Sequence, residues 1–154
     1  MNKAQTDMMQ IAFRQAQACG KRGEVPVGAA LFDAEGALIA ADGNRILETR
    51  DPTAHAELLV IRRAAQLIGN ERLTGTTLVV TLEPCAMCAG AISLSRIGKL
   101  IYGATDPKGG GVAHGARVFD HPTCHHRPII EGPVGPENCG EILRAFFRAR
   151  RGNS

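Results

Sequence analysis

The sequence predicts an α/β protein: a three-layer α/β/α sandwich in which a mixed central sheet of about five strands lies between helices. Three observations carry that expectation. A chain of 154 residues suits one core of ordinary size, able to bury roughly two-thirds of the surface its unfolded form exposes. Segments with apolar residues at helical spacing alternate with short β-rich runs in the order α-β-β-α-β-α-β, before a loop, a last short strand and a final helix. Helices that fall between strands must cover the sheet on both faces. One domain spanning residues 1–154 is expected.

Met9, Ala12, Phe13 and Ala16 recur at i, i+3, i+4 and i+7, and Gly20 follows, so residues near 5–19 read as an amphipathic helix. Val27 to Phe32 and Ala37 to Ala41 are apolar runs joined by Asp33-Ala34-Glu35-Gly36, a hairpin signature. Asp51-Pro52-Thr53 offers a start signal for a buried helix from about Ala54 to Ile68, closed by Gly69-Asn70. Thr76 to Leu82 is a strand that turns at Glu83-Pro84-Cys85 into a helix over Ala86 to Leu94. Leu100 to Tyr102 is a short strand leading to Asp106-Pro107-Lys108-Gly109-Gly110-Gly111, a flexible loop suited to a substrate rim. Ile129-Ile130 gives the last strand, and Pro136 opens a helix with Ile142, Ala145, Phe146 and Ala149 on one face.

Composition narrows the function classes. Hydrophobic residues are 44% and charged residues 21%, which excludes disorder as the ground state. No apolar run approaches the ~20 residues of a membrane span, and Met1-Asn2-Lys3-Ala4-Gln5-Thr6-Asp7 lacks a signal-peptide stretch, so a cytoplasmic protein without a membrane partner is expected. Five cysteines in that setting point to metal binding or catalysis rather than disulfides. A net charge of +3 does not by itself indicate a polyanionic partner. With no Trp, one Tyr and five Phe there are few stacking platforms, so any nucleic-acid footprint is short.

Two motifs carry the chemistry: His55-Ala56-Glu57 at one helix start and Pro84-Cys85-Ala86-Met87-Cys88 at another. Cysteines three apart at a helix start share a face, and the positive helix end favours their thiolates. Alone, Cys-x-x-Cys at such a turn equally suits a redox pair. With the nitrogen of His55 the donors become one nitrogen and two sulfurs, a zinc set whose fourth position stays open for water, which marks catalysis. Glu57 suits proton transfer better than ligation, and it converges with His55 only if the site lies beyond the helix end, because residues two apart differ by roughly 200°. Zinc lowers the pKa of water toward about 7, and a mobile carboxyl can deliver protons to a ring nitrogen and a departing amine. The four residues with Pro84 fit the zinc deaminase signature, so the expected reaction is hydrolytic deamination.

Glu24-Val25-Pro26-Val27-Gly28, Asp51 to Glu57, Thr81 to Ala91, Ser95-Arg96-Ile97, Asp106 to Gly110 and Phe146 to Arg151 together resemble the bacterial tRNA adenosine deaminases of the cytidine/deoxycytidylate deaminase superfamily, over nearly the whole chain. The resemblance implies a cytidine-deaminase-like fold, a homodimer, and conversion of wobble adenosine to inosine in a tRNA anticodon stem-loop, that of an arginine tRNA. It assigns zinc to His55, Cys85 and Cys88, and proton transfer to Glu57. It puts Asn44 against the target base and Val27 in the pocket lining, and it places Asp106, Lys108, Phe147 and Arg148 toward the RNA.

His125-His126-Arg127, preceded by Cys124, departs from the family's Asn-His-Arg; a second metal site from His121, Cys124, His125 and His126 lacks any supporting motif. Cys19 and Cys139 read as packing residues. Arg144, Arg148 and Arg151 form a basic stripe that suits phosphate contact or a solvated face. Two alternatives stand beside the RNA reading: a zinc deaminase of a free base or nucleoside such as cytosine or guanine, and a non-catalytic zinc-stabilised binding module.

Overall fold

The computed structural model describes residues 2–152. Its elements are α1 (Lys3–Lys21), β1 (Gly28–Phe32), β2 (Leu38–Gly43), α2 (Ile46–Thr49), α3 (Ala56–Ile68), β3 (Thr77–Leu82), α4 (Ala86–Leu94), β4 (Lys99–Ala104), a 3-10 turn (Val118–Asp120), β5 (Ile129–Glu131) and α5 (Pro136–Gly152). The strands form one mixed sheet in the order β2-β1-β3-β4-β5. β1 runs antiparallel to β2 and β3, whereas β3, β4 and β5 are mutually parallel. This is the sandwich expected from the element order.

Strand alternation sorts the core into two apolar layers. Ala29 and Leu31 of β1, Leu78 and Val80 of β3 and Leu100 of β4 face Val60 and Ile61 of α3 and Ala89 and Ile92 of α4. Ala30, Phe32, Val79 and Ile101 face Met9 and Ala12 of α1 and Cys139 of α5. Both faces are covered, so the strands read as nearly continuous hydrophobic runs. Each fully buried Leu or Ile contributes about 1.5–3 kcal/mol to that packing.

Local chemistry explains the helix ends. Asn2 caps α1 in a capping box with Gln5, its side chain accepting from the Gln5 N–H at 2.9 Å. Against the sheet, α1 approaches so closely that a Cβ on Gly28 would strike the backbone of Ala12 and Ala16, and one on Gly43 would lie 2.7 Å from the Gln15 carbonyl and the Cys19 Cβ.

Three differences from expectation have physical causes. Asp51 does not start α3: its carboxylate accepts from the Thr53 N–H at 2.8 Å and hydroxyl at 2.7 Å, closing a separate turn, and His55 becomes the N-cap residue. The short α2 was not foreseen, because four residues carry no periodic signal. On α5, Ala145 and Ala149 are exposed; the inward face is Cys139, Ile142, Leu143 and Phe146.

Candidate active site

The site forms where the N-termini of α3 and α4 meet beyond the ends of β1 and β3. His55 and Cys85 are the two N-cap residues, both in extended conformation, and Cys88 lies in the first turn of α4. Their ligand atoms all lie within 4.8 Å of one another, the one such group among the described residues. The His55 Nδ1 is 3.6 Å from the Cys85 sulfur and 3.5 Å from that of Cys88. An ion in tetrahedral coordination, with bonds of about 2.0 Å to nitrogen and about 2.3 Å to sulfur, separates those donors by about 3.5 Å. The three side chains therefore fit zinc by spacing as well as by donor type, and three protein donors leave the fourth position free.

Electrostatics points the same way. A hydrogen bond from Cys88 pulls the Cys85 thiol down to about 4 against the opposing effect of burial, with His55 assisting. Cys88 moves up, first through that same bond and then through burial. His55 moves up, chiefly through its bond to Cys85. One thiolate, one thiol and an imidazolium-prone ring thus share a short hydrogen-bonded cluster, which a divalent cation would convert to three deprotonated ligands. Glu57, in the first turn of α3, is 4% exposed, and burial raises its carboxyl to about 7.

A cavity of about 280 Å³ opens on His55, Glu57 and Cys85 and is walled by Val27, Asn44 and Asp106. The Asn44 side chain is held on both sides: its Nδ2 donates to the Val25 carbonyl at 3.1 Å and its Oδ1 accepts from the Ala56 N–H at 2.9 Å. That second bond satisfies an orphan donor at the start of α3 and leaves one amide hydrogen of Asn44 for a ligand. Lys108 and Phe147 line an adjoining cavity of about 420 Å³ that shares Asp106 and Gly109 with the first. Arg148 stands apart, paired with Glu141 at 2.8 Å on the exposed side of α5, and Arg144 pairs with the same carboxylate at 3.1 Å.

The glycine run is fastened rather than flexible. The Gly111 N–H bonds the Pro84 carbonyl at 2.7 Å, and a Cβ on Gly111 would lie 2.7 Å from the Ala86 Cα. The residues flanking the run, Asp106 and Val112 to His114, are anchored by Glu83, which sequence reasoning left without a role, as it did the pocket-lining Val25, Ile46 and Leu82. An acidic residue ending an apolar strand was the available signal. Around the departure at 124–126, the Cys124 thiol and the His126 ring face the carbonyls of His126 and Ile97 at 3.2 and 2.7 Å, and His121 faces that of Ala116 at 2.8 Å, so these groups form no second centre.

The family described as the cytidine and deoxycytidylate deaminase zinc-binding region matches residues 2–104, which include all three donors and Glu57. A tRNA-specific adenosine deaminase of Agrobacterium fabrum is 52% identical over 146 residues, 95% of each chain. The chain belongs to the tRNA-specific adenosine deaminases. A second such deaminase, from Aquifex aeolicus, is 42% identical over 94% of this chain and 95% of its own. A structure solved in work on A-to-I editing by tRNA:A34 deaminases at the wobble position of transfer RNA superposes with a TM-score of 0.87 at 51% identity, covering 90% of this chain and 99% of that one. The deaminase fold and the His-Cys-Cys group at its helix starts therefore coincide in one molecule. Among the described residues no helix is long and apolar enough to cross a membrane.

Proposed function

We propose that this deaminase converts adenosine to inosine at the wobble position of a tRNA anticodon loop, with an arginine tRNA as substrate. The observation that carries the reading is the His55, Cys85 and Cys88 cluster opening, with buried Glu57, on a cavity of about 280 Å³, in a chain 52% identical to a tRNA-specific adenosine deaminase. In the reaction, water adds at C6 of the base, the C6–N bond breaks and ammonia leaves. A zinc ion held by the three donors supplies the acidity that makes water a nucleophile near pH 7.

The chain's own residues do the rest. Glu57 takes one proton from the attacking water as the C–O bond forms and passes it to the ring nitrogen N1. It then takes the remaining proton from the C6 hydroxyl and delivers it to the amino group, which leaves as NH3 while the C6 carbonyl forms. A carboxyl raised by burial into the neutral range suits both directions of transfer. Asn44 offers its remaining amide hydrogen to the base, and Val27 closes the apolar wall. An unpaired loop base enters such a pocket at an unstacking cost of a few kcal/mol, so a splayed anticodon loop is favoured over duplex. Lys108, Phe147 and Arg148 serve flanking nucleotides. The Leu94 and Met87 side chains, 74% and 38% exposed on α4, support a homodimer, which light scattering tests through a mass of two chains.

Mass spectrometry of tRNA treated with wild type and Glu57→Ala tests the function: inosine forms with the first, and its rate falls at least about a hundredfold with the second while metal content persists. Replacing Cys85 or Cys88 by alanine should strip the metal as well. Ammonia release from cytosine or guanine with no inosine in RNA would instead support a free-base deaminase.

A further inference from the structure

Outside the metal cluster, the buried side chain with the densest unassigned set of partners is Glu83. It directly follows β3, 2% exposed, where the chain leads on to Cys85 at the site. Its Oε2 accepts from three consecutive backbone N–H groups, those of Val112 at 3.1 Å, Ala113 at 2.9 Å and His114 at 3.1 Å. Its Oε1 accepts from the Asp106 N–H at 3.0 Å and lies 2.8 Å from the His114 Nδ1. Successive N–H groups converging on one point make an anion-binding nest. Here the protein's own carboxylate fills it.

A smaller version stands on the opposite wall. Glu24 is also 2% exposed, and its two carboxylate oxygens accept from the N–H groups of Leu47 at 3.1 Å and Glu48 at 3.0 Å. Each buried glutamate thus holds a segment that contributes to the cavity, Ile46 on one side and Asp106 with Gly109 on the other. The segments lack strand pairing of their own, so beside a few backbone bonds such as that of the Gly111 N–H to the Pro84 carbonyl, the glutamate contacts help to fix their position.

We propose that Glu83 and Glu24 are positioning residues that fix the aperture of the base pocket, each pinning one wall and thereby setting how tightly RNA is held, with no part in the proton transfers. The inference rests on the RNA-deaminating function above. A glutamine at 83 keeps the shape but turns one end of the carboxylate from acceptor into donor. That end then faces N–H groups that have no acceptor, and one half of the clasp opens.

The test uses zinc-loaded full-length protein and an anticodon stem-loop RNA. Glu83→Gln should raise KM by about tenfold, with metal content unchanged and kcat at saturating RNA within about threefold of wild type, because the lost contacts hold the pocket wall against which RNA binds rather than the reacting atoms. Glu24→Gln should raise KM by about threefold in the same pattern. His114→Ala removes one contact of Glu83 from a half-exposed ring and decides the matter should Glu83→Gln fail to fold; an increase in KM of about threefold is expected. Trypsin should also cut after Lys108 faster in the Glu83 and His114 variants than in wild type. An unchanged KM in these variants, or a parallel fall of kcat and metal content, overturns the inference. A wild type that makes no inosine removes the functional reading instead, a distinct result.

Discussion

At the scale of single residues, burial decides which side chains can titrate and when. Cys139 of α5 is 2% exposed, and burial holds its thiol up to about 11 from an ordinary 9.0. In the unfolded chain the same thiol ionises two units earlier. Between about pH 9 and about pH 11 the unfolded state therefore binds fewer protons, and stability falls as pH rises through that window, by about 2–3 kcal/mol in total. Below 9.0 the full contribution is present. Urea unfolding of wild type and Cys139→Ala from pH 8 to 11 checks this: the variant's alkaline loss should be shallower, and parallel curves would refute it. The reading of Cys139 as a packing residue was open to sequence alone, since an isolated cysteine in an apolar helix face has few other uses. The role of Glu83 was not, because its five donors come from residues 23 to 31 positions away and only the closed chain brings them together.

Between elements, the tightest seam is that of α1 on the β1-β2 hairpin, where glycines let helix backbone touch strand. Gly43→Ala should destabilise the protein by about 1–3 kcal/mol, since the added methyl meets the Gln15 carbonyl and the Cys19 side chain and neither has room to retreat. Thermal unfolding measures it; an unchanged midpoint would mean that α1 can slide. The end of α3 and the start of α4 were legible because period and punctuation agree there: the 3.6-residue pattern closing at Gly69 and the Pro84 turn before α4 each leave one interpretation. Where a side chain builds its own turn, as Asp51 does, a capping signal and a turn signal look identical in sequence. The face of α5 was misjudged for a related reason. Its apolar residues admit two overlapping stripes, and only packing against β4 selects the one bearing Leu143.

Seen whole, the molecule keeps its reactive centre apart from what holds it up. Neither apolar layer includes His55, Cys85 or Cys88 among its members. Five paired strands and the four longer helices close around two apolar layers, and no buried side-chain polar atom among the described residues lacks a hydrogen bond. Dialysis against a chelator should abolish inosine formation while far-UV circular dichroism and its cooperative melt survive; loss of secondary structure on chelation would instead indicate a metal-dependent fold. A scaffold that outlives its reagent in that experiment makes the ion a replaceable part. A cell short of metal would accumulate finished but dormant copies, and restoring the supply would revive them without new synthesis.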